Sequence, residues 1–447
     1  MTDDEKTHSY KKETAQPRVV IIGGGFGGLC AARGLVGAPV SVTLIDKRNY
    51  HLFRPMLYQV ATGLLSADQI SRPLRSILSR QANVEVLMDE VSGIDTNKRL
   101  VRLKEHSISY DYLVLATGIQ YNYFGHDEWR HVAPGLESLD DADLIRGKIL
   151  LAFERAEEMA ALDHAATEGI RQLLTFVLVG AGTVGVEMAS TLAEMSRMAL
   201  AHDFRHIDPR DAQIILYEAA PRVLPTFPED LSAKAQRHLE SLGVKIYTNT
   251  RVTSVDADGV VAGGQRVRSS TVLWGAGVLA SPAGRWLGAA MDKSGKIIVG
   301  SDLSVPDHPE IFAIGDTAHV VAPSRNLLGI RSKEAMVMPG VAQPAIQEGR
   351  YVASLIRRRV AGEPPAPFWY WDKGDLAIAG RTYALADLRM LRFSGFPAWV
   401  VWAVVHIYFL IGFANRFFVM LQWALAFLTK RRQVRVFPGQ ERAAEAP

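Results

Sequence analysis

Cysteine is almost absent. The 447-residue chain has one, Cys30, read as a small core residue. A lone thiol excludes an intramolecular disulfide framework, a redox-active dithiol, and a cysteine-built iron–sulfur or zinc site. No metal site is expected, so any electron chemistry must be carried by an organic cofactor. Charge of one sign is also lacking: 50 Lys and Arg stand against 47 Asp and Glu. That balance argues against a nucleic-acid partner, which a strong basic excess would signal. The N-terminus, MTDDEKTHSYKKETAQ, has no apolar run. It reads as a disordered tail rather than a signal peptide or transit helix, and a cytoplasmic location is the default expectation.

What is present is a chain that is 48% hydrophobic, enough for a large core. Apolar strands alternate with helices from Arg18 to about Gly125. A charged, Ala-rich helical stretch follows near Leu139–Ala166, and the α/β pattern restarts at Leu173. This alternation predicts an α/β fold with two Rossmann-like units and a C-terminal helical segment.

Two glycine fingerprints lie 157 residues apart, each directly after a strand. In RVVIIGGGFGGL, Gly23, Gly25 and Gly28 have the G-x-G-x-x-G spacing: the first for a tight turn, the second for close approach of a pyrophosphate, the third for helix packing. The helix that follows would face the phosphates with its N-terminus. Asp46, 18 residues past Gly28, ends the next strand, where a carboxylate can bond a ribose hydroxyl pair. In LVGAGTVGVEM, Gly180, Gly182 and Gly185 repeat the spacing, and Glu218 ends the following strand. A carboxylate there suits a 2′-hydroxyl and repels a 2′-phosphate, which favours NADH over NADPH; the bland reading is a solvated strand-end acid. Two cradles suggest two dinucleotides and hydride transfer from a nicotinamide to a held flavin.

With these residues in view, the chain resembles the type II NADH:quinone oxidoreductases, members of the two-dinucleotide-binding-domain flavoproteins. YDYLVLATG (Tyr110–Gly118) and IFAIGDTA (Ile311–Ala318) are similar to the family's flavin segments, NYHLFRPMLYQVATG (Asn49–Gly63) to the loop and helix beside the flavin ring, and LWGAGV (Leu273–Val278) to the matching NADH-side turn. The resemblance implies FAD at Gly23, Gly25, Phe26, Gly27, Gly28, Asp46, Lys47, Val91, Thr117, Gly118, Gly315, Asp316 and Ala342, with Asp316 on the ribityl chain. It implies NADH at Gly180, Gly182, Thr183, Val184, Gly185, Glu218 and Gly277. AQPAIQEG (Ala342–Gly349) is similar to the family's quinone motif. Gln343 and Gln347 lie four apart, so a helix puts both amides on one face, where they can donate to a quinone carbonyl; the alternative is an ordinary polar helix face. The resemblance also implies that Glu187 lies near flavin and nicotinamide as a catalytic carboxylate with a raised pKa. The alternative is an acid placed in the first helical turn by the helix dipole. Lys373 and Arg381, tempting as catalytic cations, are read as structural.

The expected segments are a tail to residue 16, FAD-binding parts over 17–140 and 291–362, an NADH-binding domain over 141–290, and a membrane-associated or dimerising region over 363–447. In that last region Ala398–Ala414 is 17 residues of mainly apolar character; Asn415 and Arg416 break the run, and Phe417–Leu428 adds 12. A span needs about 20, so an interfacial helical hairpin fits best. Trp399, Trp402, Tyr408 and Trp423 suit the bilayer interface, and Lys430, Arg431, Arg432 and Arg435 suit anionic headgroups. The alternative for this region is a dimer interface or a core helix. Nothing in the chain could carry protons across a membrane. The resemblance implies a monotopic enzyme on the cytoplasmic face of the inner membrane, taking quinone from the bilayer and plausibly homodimeric. Competing functions are a ferredoxin-type reductase, a sulfide:quinone reductase (which one cysteine does not support), and a non-catalytic flavin-binding membrane protein.

Overall fold

The structure is a computed structural model that describes residues 16–163 and 165–429. The polar N-terminal stretch before Gln16 and the basic residues Lys430, Arg431, Arg432 and Arg435 lie outside the described residues. The chain forms two compact units. One takes the chain up to Leu52, Arg72–Gln120 and Val278–Asp372; the other takes Phe53–Ser71, Tyr121–Gly277 and the chain from Lys373.

In the first unit Val19, Val20 and Ile21 are fully buried, as expected for a strand covered on both faces. The strand Arg18–Ile22 pairs in parallel with Ser41–Asp46 on one side and Tyr112–Leu115 on the other. Val84–Met88 extends the sheet beyond Ser41–Asp46, and His308–Ala313 extends it beyond Tyr112–Leu115, both in parallel. The short antiparallel strand Ser304–Val305 closes that edge. Chain direction therefore switches at the fingerprint strand, where α/β sheets open a ligand crevice at the carboxyl ends of their strands. The helix Phe26–Gly34 leaves that strand and packs on Ala342–Val360 with little space between them. A Cβ on Gly349 would sit 2.2 Å from the Gly27 carbonyl oxygen, and one on Gly34 would sit 2.6 Å from Ala353 Cβ.

The second unit repeats the plan. Its parallel sheet runs Val244–Tyr247, Gln213–Tyr217, Thr175–Val179, Thr271–Trp274, again with the fingerprint strand inside. Each unit also carries a three-stranded antiparallel sheet, at Gly93–Ser109 and Val252–Arg268. The Ala-rich stretch forms the helix Leu139–Leu162, started by a Ser138–Asp141 capping box.

The C-terminal chain makes a three-stranded sheet (Asp375–Gly380, Tyr383–Asp387, Arg392–Gly395) and then two helices, Phe396–Phe409 and Phe413–Thr429. Asn415 and Arg416 interrupt the apolar run but lie inside the second helix; the chain turns earlier, around Gly412 (φ +94°). Arg416 donates to the Leu410 and Tyr408 carbonyls, both at 2.8 Å, and so caps the first helix from within the second. Asn415 donates to the Asp68 and Ser71 carbonyls. Satisfied in this way, neither residue needs to end a helix. Among the described residues no helix is long and apolar enough to cross a membrane.

Candidate functional site

Each fingerprint becomes a turn whose glycines are demanded by different neighbours. In the first unit Gly23 has φ +105°, and a Cβ there would meet the Ala116 carbonyl oxygen at 2.3 Å; a Cβ on Gly28 would meet the Gly23 oxygen at 1.9 Å. Gly25 differs: no protein atom lies within 4 Å of its Cβ position. It caps the helix Phe26–Gly34 in extended conformation and, as a glycine, offers no side chain to the first turn. Asp46 ties the turn down, one oxygen accepting from Gly24 N at 2.6 Å and the other from Arg48 N at 2.8 Å. The second unit matches this point for point. Gly180 (φ +96°) crowds Ala276, Gly185 crowds the Gly180 oxygen at 1.9 Å, and Gly182 faces open space at the start of Thr183–Glu194. Glu218 accepts from Ala181 N at 2.6 Å and Ala220 N at 2.7 Å. Two glycines of each turn thus answer to the protein, and the middle one leaves a gap that a Cβ would fill. With helix N–H groups behind it, that gap fits a pyrophosphate.

The remaining expected flavin residues gather in the first unit. Phe26 opens the fingerprint helix edge-on to His51, whose Nδ1 donates to the Gly24 carbonyl at 2.9 Å. Gly27 lies against Ile314 and Ala345, and Val91 is buried while Lys47 is exposed. Thr117 shares a hydroxyl cluster with Ser281 and Thr317, and Gly118 N (φ +74°) donates to Thr317 at 2.8 Å. Gly315 (φ +62°) donates to Glu348, and Asp316 Oδ1 lies 3.2 Å from the Cβ position of Gly340, just ahead of Ala342. The fingerprint turn, the Gly315–Asp316 turn and the start of the glutamine helix are therefore neighbours.

Ala342 is the first residue of the helix Ala342–Val360, and Gln343 sits half-buried in its first turn. Gln347 departs from expectation. Its Oε1 accepts from Trp371 N at 2.9 Å and its Nε2 donates to Trp371 O at 3.0 Å, so the amide holds a strand and one N–H remains for any other acceptor. In the second unit Thr183 and Val184 open the helix, and Gly277 (φ +68°) lies against Phe124. Glu187 is the fifth residue of that helix, beyond the first turn, so the dipole reading does not account for it. It is buried, and burial drives its carboxyl pKa well above the usual range. Lys373 lies over the Phe409 ring. Arg381 donates backbone N to Glu194 at 2.6 Å and a guanidinium N–H to Ala426 O at 3.1 Å, which clamps the last helix.

Sequence reasoning missed three residues: His51, Thr317 and Glu348. Each stands inside a segment already singled out, but only the folded contacts mark it. Glu348 is buried next to Asp316, and burial pushes it up to about 8.

The sheets and cradles define an α/β protein with two dinucleotide sites. The pyridine nucleotide-disulphide oxidoreductase family model matches residues 17–349. Two proteins of Mycobacterium tuberculosis, the type II NADH:quinone oxidoreductases NdhA and Ndh, are each 42% identical to the chain. Those matches cover 93% and 94% of this chain, and 88% and 91% of the relatives. The structure of NDH2 from Plasmodium falciparum in complex with NADH has the same fold, with TM-score 0.81 at 21% identity, covering 93% of this chain and 99% of that one. The chain belongs to the pyridine nucleotide-disulphide oxidoreductase family and, within it, to the type II NADH:quinone oxidoreductases.

Proposed function

We infer that the protein oxidises NADH and reduces a quinone through bound FAD, without pumping protons. The observation that carries this is the pair of open glycine cradles at Gly25 and Gly182, in a chain 42% identical to named NADH:quinone oxidoreductases. FAD, when bound, supplies a ring that accepts a hydride from the nicotinamide and returns two electrons to a quinone. The chain's own residues do the rest. Helix N–H groups behind Gly25 and Gly182 hold the two pyrophosphates, and Asp46 and Glu218, locked by backbone donors, face the two riboses. Asp316 holds the flavin's polyol. Glu218 sets the preference for NADH, because a 2′-phosphate would meet a fixed carboxylate. Glu187, whose carboxyl is pushed well above the usual carboxylate range by burial, can hold a proton for the reduced acceptor. Gln343, with the spare N–H of Gln347, orients the quinone carbonyl.

The enzyme works at a membrane surface as a monotopic protein on the cytoplasmic face, with a homodimer as its assembly. The two C-terminal helices support this: Trp402 is buried in the unit, while Val404, Tyr408, Phe413, Phe417 and Phe418 are exposed. The purified protein should be yellow and should consume NADH only when a quinone is supplied; no NADH-dependent bleaching would favour a non-catalytic flavin protein. Glu218→Gln should raise use of NADPH relative to NADH, and an unchanged ratio removes Glu218 from nucleotide choice.

A further inference from the structure

The first unit carries an apolar surface apart from the C-terminal helices. The strands Val321–Arg325 and Arg331–Val337 form an antiparallel hairpin whose tip, Asn326–Ile330, reads NLLGI. Leu327, Leu328 and Ile330 are 45%, 68% and 58% exposed. The tip bonds part of its own backbone. Asn326 N donates to Ile330 O, and Gly329 N to Asn326 O. Leu328 N and Ile330 N both donate to the Asn326 side-chain oxygen, at 3.1 and 3.0 Å. The Trp371 indole N–H adds a donor to Asn326 O at 3.0 Å. Seating this tip at a lipid interface would bury three aliphatic side chains, with part of the tip's backbone already bonded within it and the rest within reach of hydrated headgroups.

Behind the tip lies a girdle of a different kind. Arg325 and Arg331 are directly opposed in the hairpin register, a like-charge pair that costs stability in water. Each lies over its own tryptophan, Arg325 at 5.5 Å from the Trp371 ring and Arg331 at 4.8 Å from Trp369. With Lys333 and Glu334 the hairpin has a net charge of +2. Directly behind the aliphatic tip, Arg325, Arg331 and Trp371 share one level of the sheet, a mixture of tryptophan and cation that suits the interface of a bilayer whose headgroups are anionic. A second copy meeting this tip through a two-fold axis would bring four arginines together, so an anionic lipid surface is the better match.

We propose that the hairpin Val321–Val337 seats in an anionic lipid surface as a contact separate from the C-terminal helices, and that it sets the depth of the glutamine helix. The link is short: Trp371 lies beside Arg325 in the same sheet, and both its backbone groups bond Gln347. This rests on the reading that the acceptor is a lipid-soluble quinone.

The test uses the full-length, flavin-loaded protein with Leu328→Cys carrying an environment-sensitive NBD dye; the parent, whose Cys30 is half-buried, controls for labelling. Vesicles of phosphatidylcholine and phosphatidylglycerol should shift the dye to the blue, and nitroxide lipids in the bilayer should quench it. Arg325→Glu with Arg331→Glu should weaken vesicle binding by roughly fivefold or more per arginine. It should slow turnover with a long-chain quinone held in the vesicles, and leave turnover with a short-chain, water-soluble quinone unchanged. A dye that ignores vesicles while the protein sediments with them would overturn the proposal. So would a blue shift that grows with protein concentration and needs no lipid, which would mark a contact between copies. Absence of NADH oxidation with the short-chain quinone would instead refute the proposed function, since the dye response is read without turnover.

Discussion

At the scale of residues, the three glycines of each fingerprint separate by what they face. A Cβ on Gly28 would overlap a backbone oxygen, so Gly28→Ala should destabilise the fold by at least about 1–3 kcal/mol. A Cβ at Gly25 has no described neighbour within 4 Å beyond the adjoining chain. Gly25→Val should therefore fold and yet lose flavin, seen as a colourless protein that melts near the flavin-stripped parent. Gly182→Val should remain yellow and lose NADH affinity. Glu187→Gln should slow turnover on the order of 100-fold, the scale of one proton-transfer group, with flavin retained. Unchanged turnover across pH would remove it from the mechanism.

Glu348 has a pH signature of its own. Burial pushes its pKa from the usual 4.5 up to about 8, with its oxygen still accepting from Gly315 N. Between those values the folded protein holds a proton that the unfolded chain has released. Its contribution is thus complete below about pH 4.5 and is lost as pH rises toward 8. Glu348→Gln keeps an acceptor for Gly315, so melting temperatures measured from pH 5 to 8 should show a flatter decline than the parent. An identical slope would show that the carboxyl does not titrate in this window.

At the scale of elements, the C-terminal helices have two faces with different duties. The inner one is core: Trp402 is 1% exposed, and the Trp423 indole donates to Gln59 Oε1 at 2.8 Å. Trp402→Ala should cost about 3–5 kcal/mol, the usual loss for a buried tryptophan. Removing both helices should lower the melting temperature as well as weaken membrane binding; loss of binding alone would show the helices to be a mere appendage. His406, stacked on Trp402 at 4.0 Å and bonded to its carbonyl, is pulled by burial down to about 4. It stays neutral from pH 5 to 8, so anchoring should not change over that range in vesicle sedimentation.

At the scale of the whole molecule, one plan is used twice. Each unit has a parallel sheet with its fingerprint strand inside, an acid locking the turn, and a small antiparallel sheet. Among the described residues no helix is long and apolar enough to cross a membrane. As expected for a type II NADH:quinone oxidoreductase, NADH oxidation in well-buffered sealed vesicles with quinone should build no membrane potential, and an uncoupler should leave its rate unchanged; a potential that the uncoupler abolishes would refute this.

The sequence alone was sufficient for the two cradles, because strand, glycine spacing, helix and strand-end acid are local features that repeat at fixed distances. It was also sufficient to place Gln343 and Gln347 on one helix, since a spacing of four is a property of the helix itself. It could not show that Gln347 spends its amide on Trp371, 24 residues on, or that Glu348 is the buried partner of Gly315. Nor could it show that Arg416 caps one helix from within the next. Those assignments depend on which distant backbone groups come within hydrogen-bonding reach once water is excluded, and only the packed tertiary structure decides that.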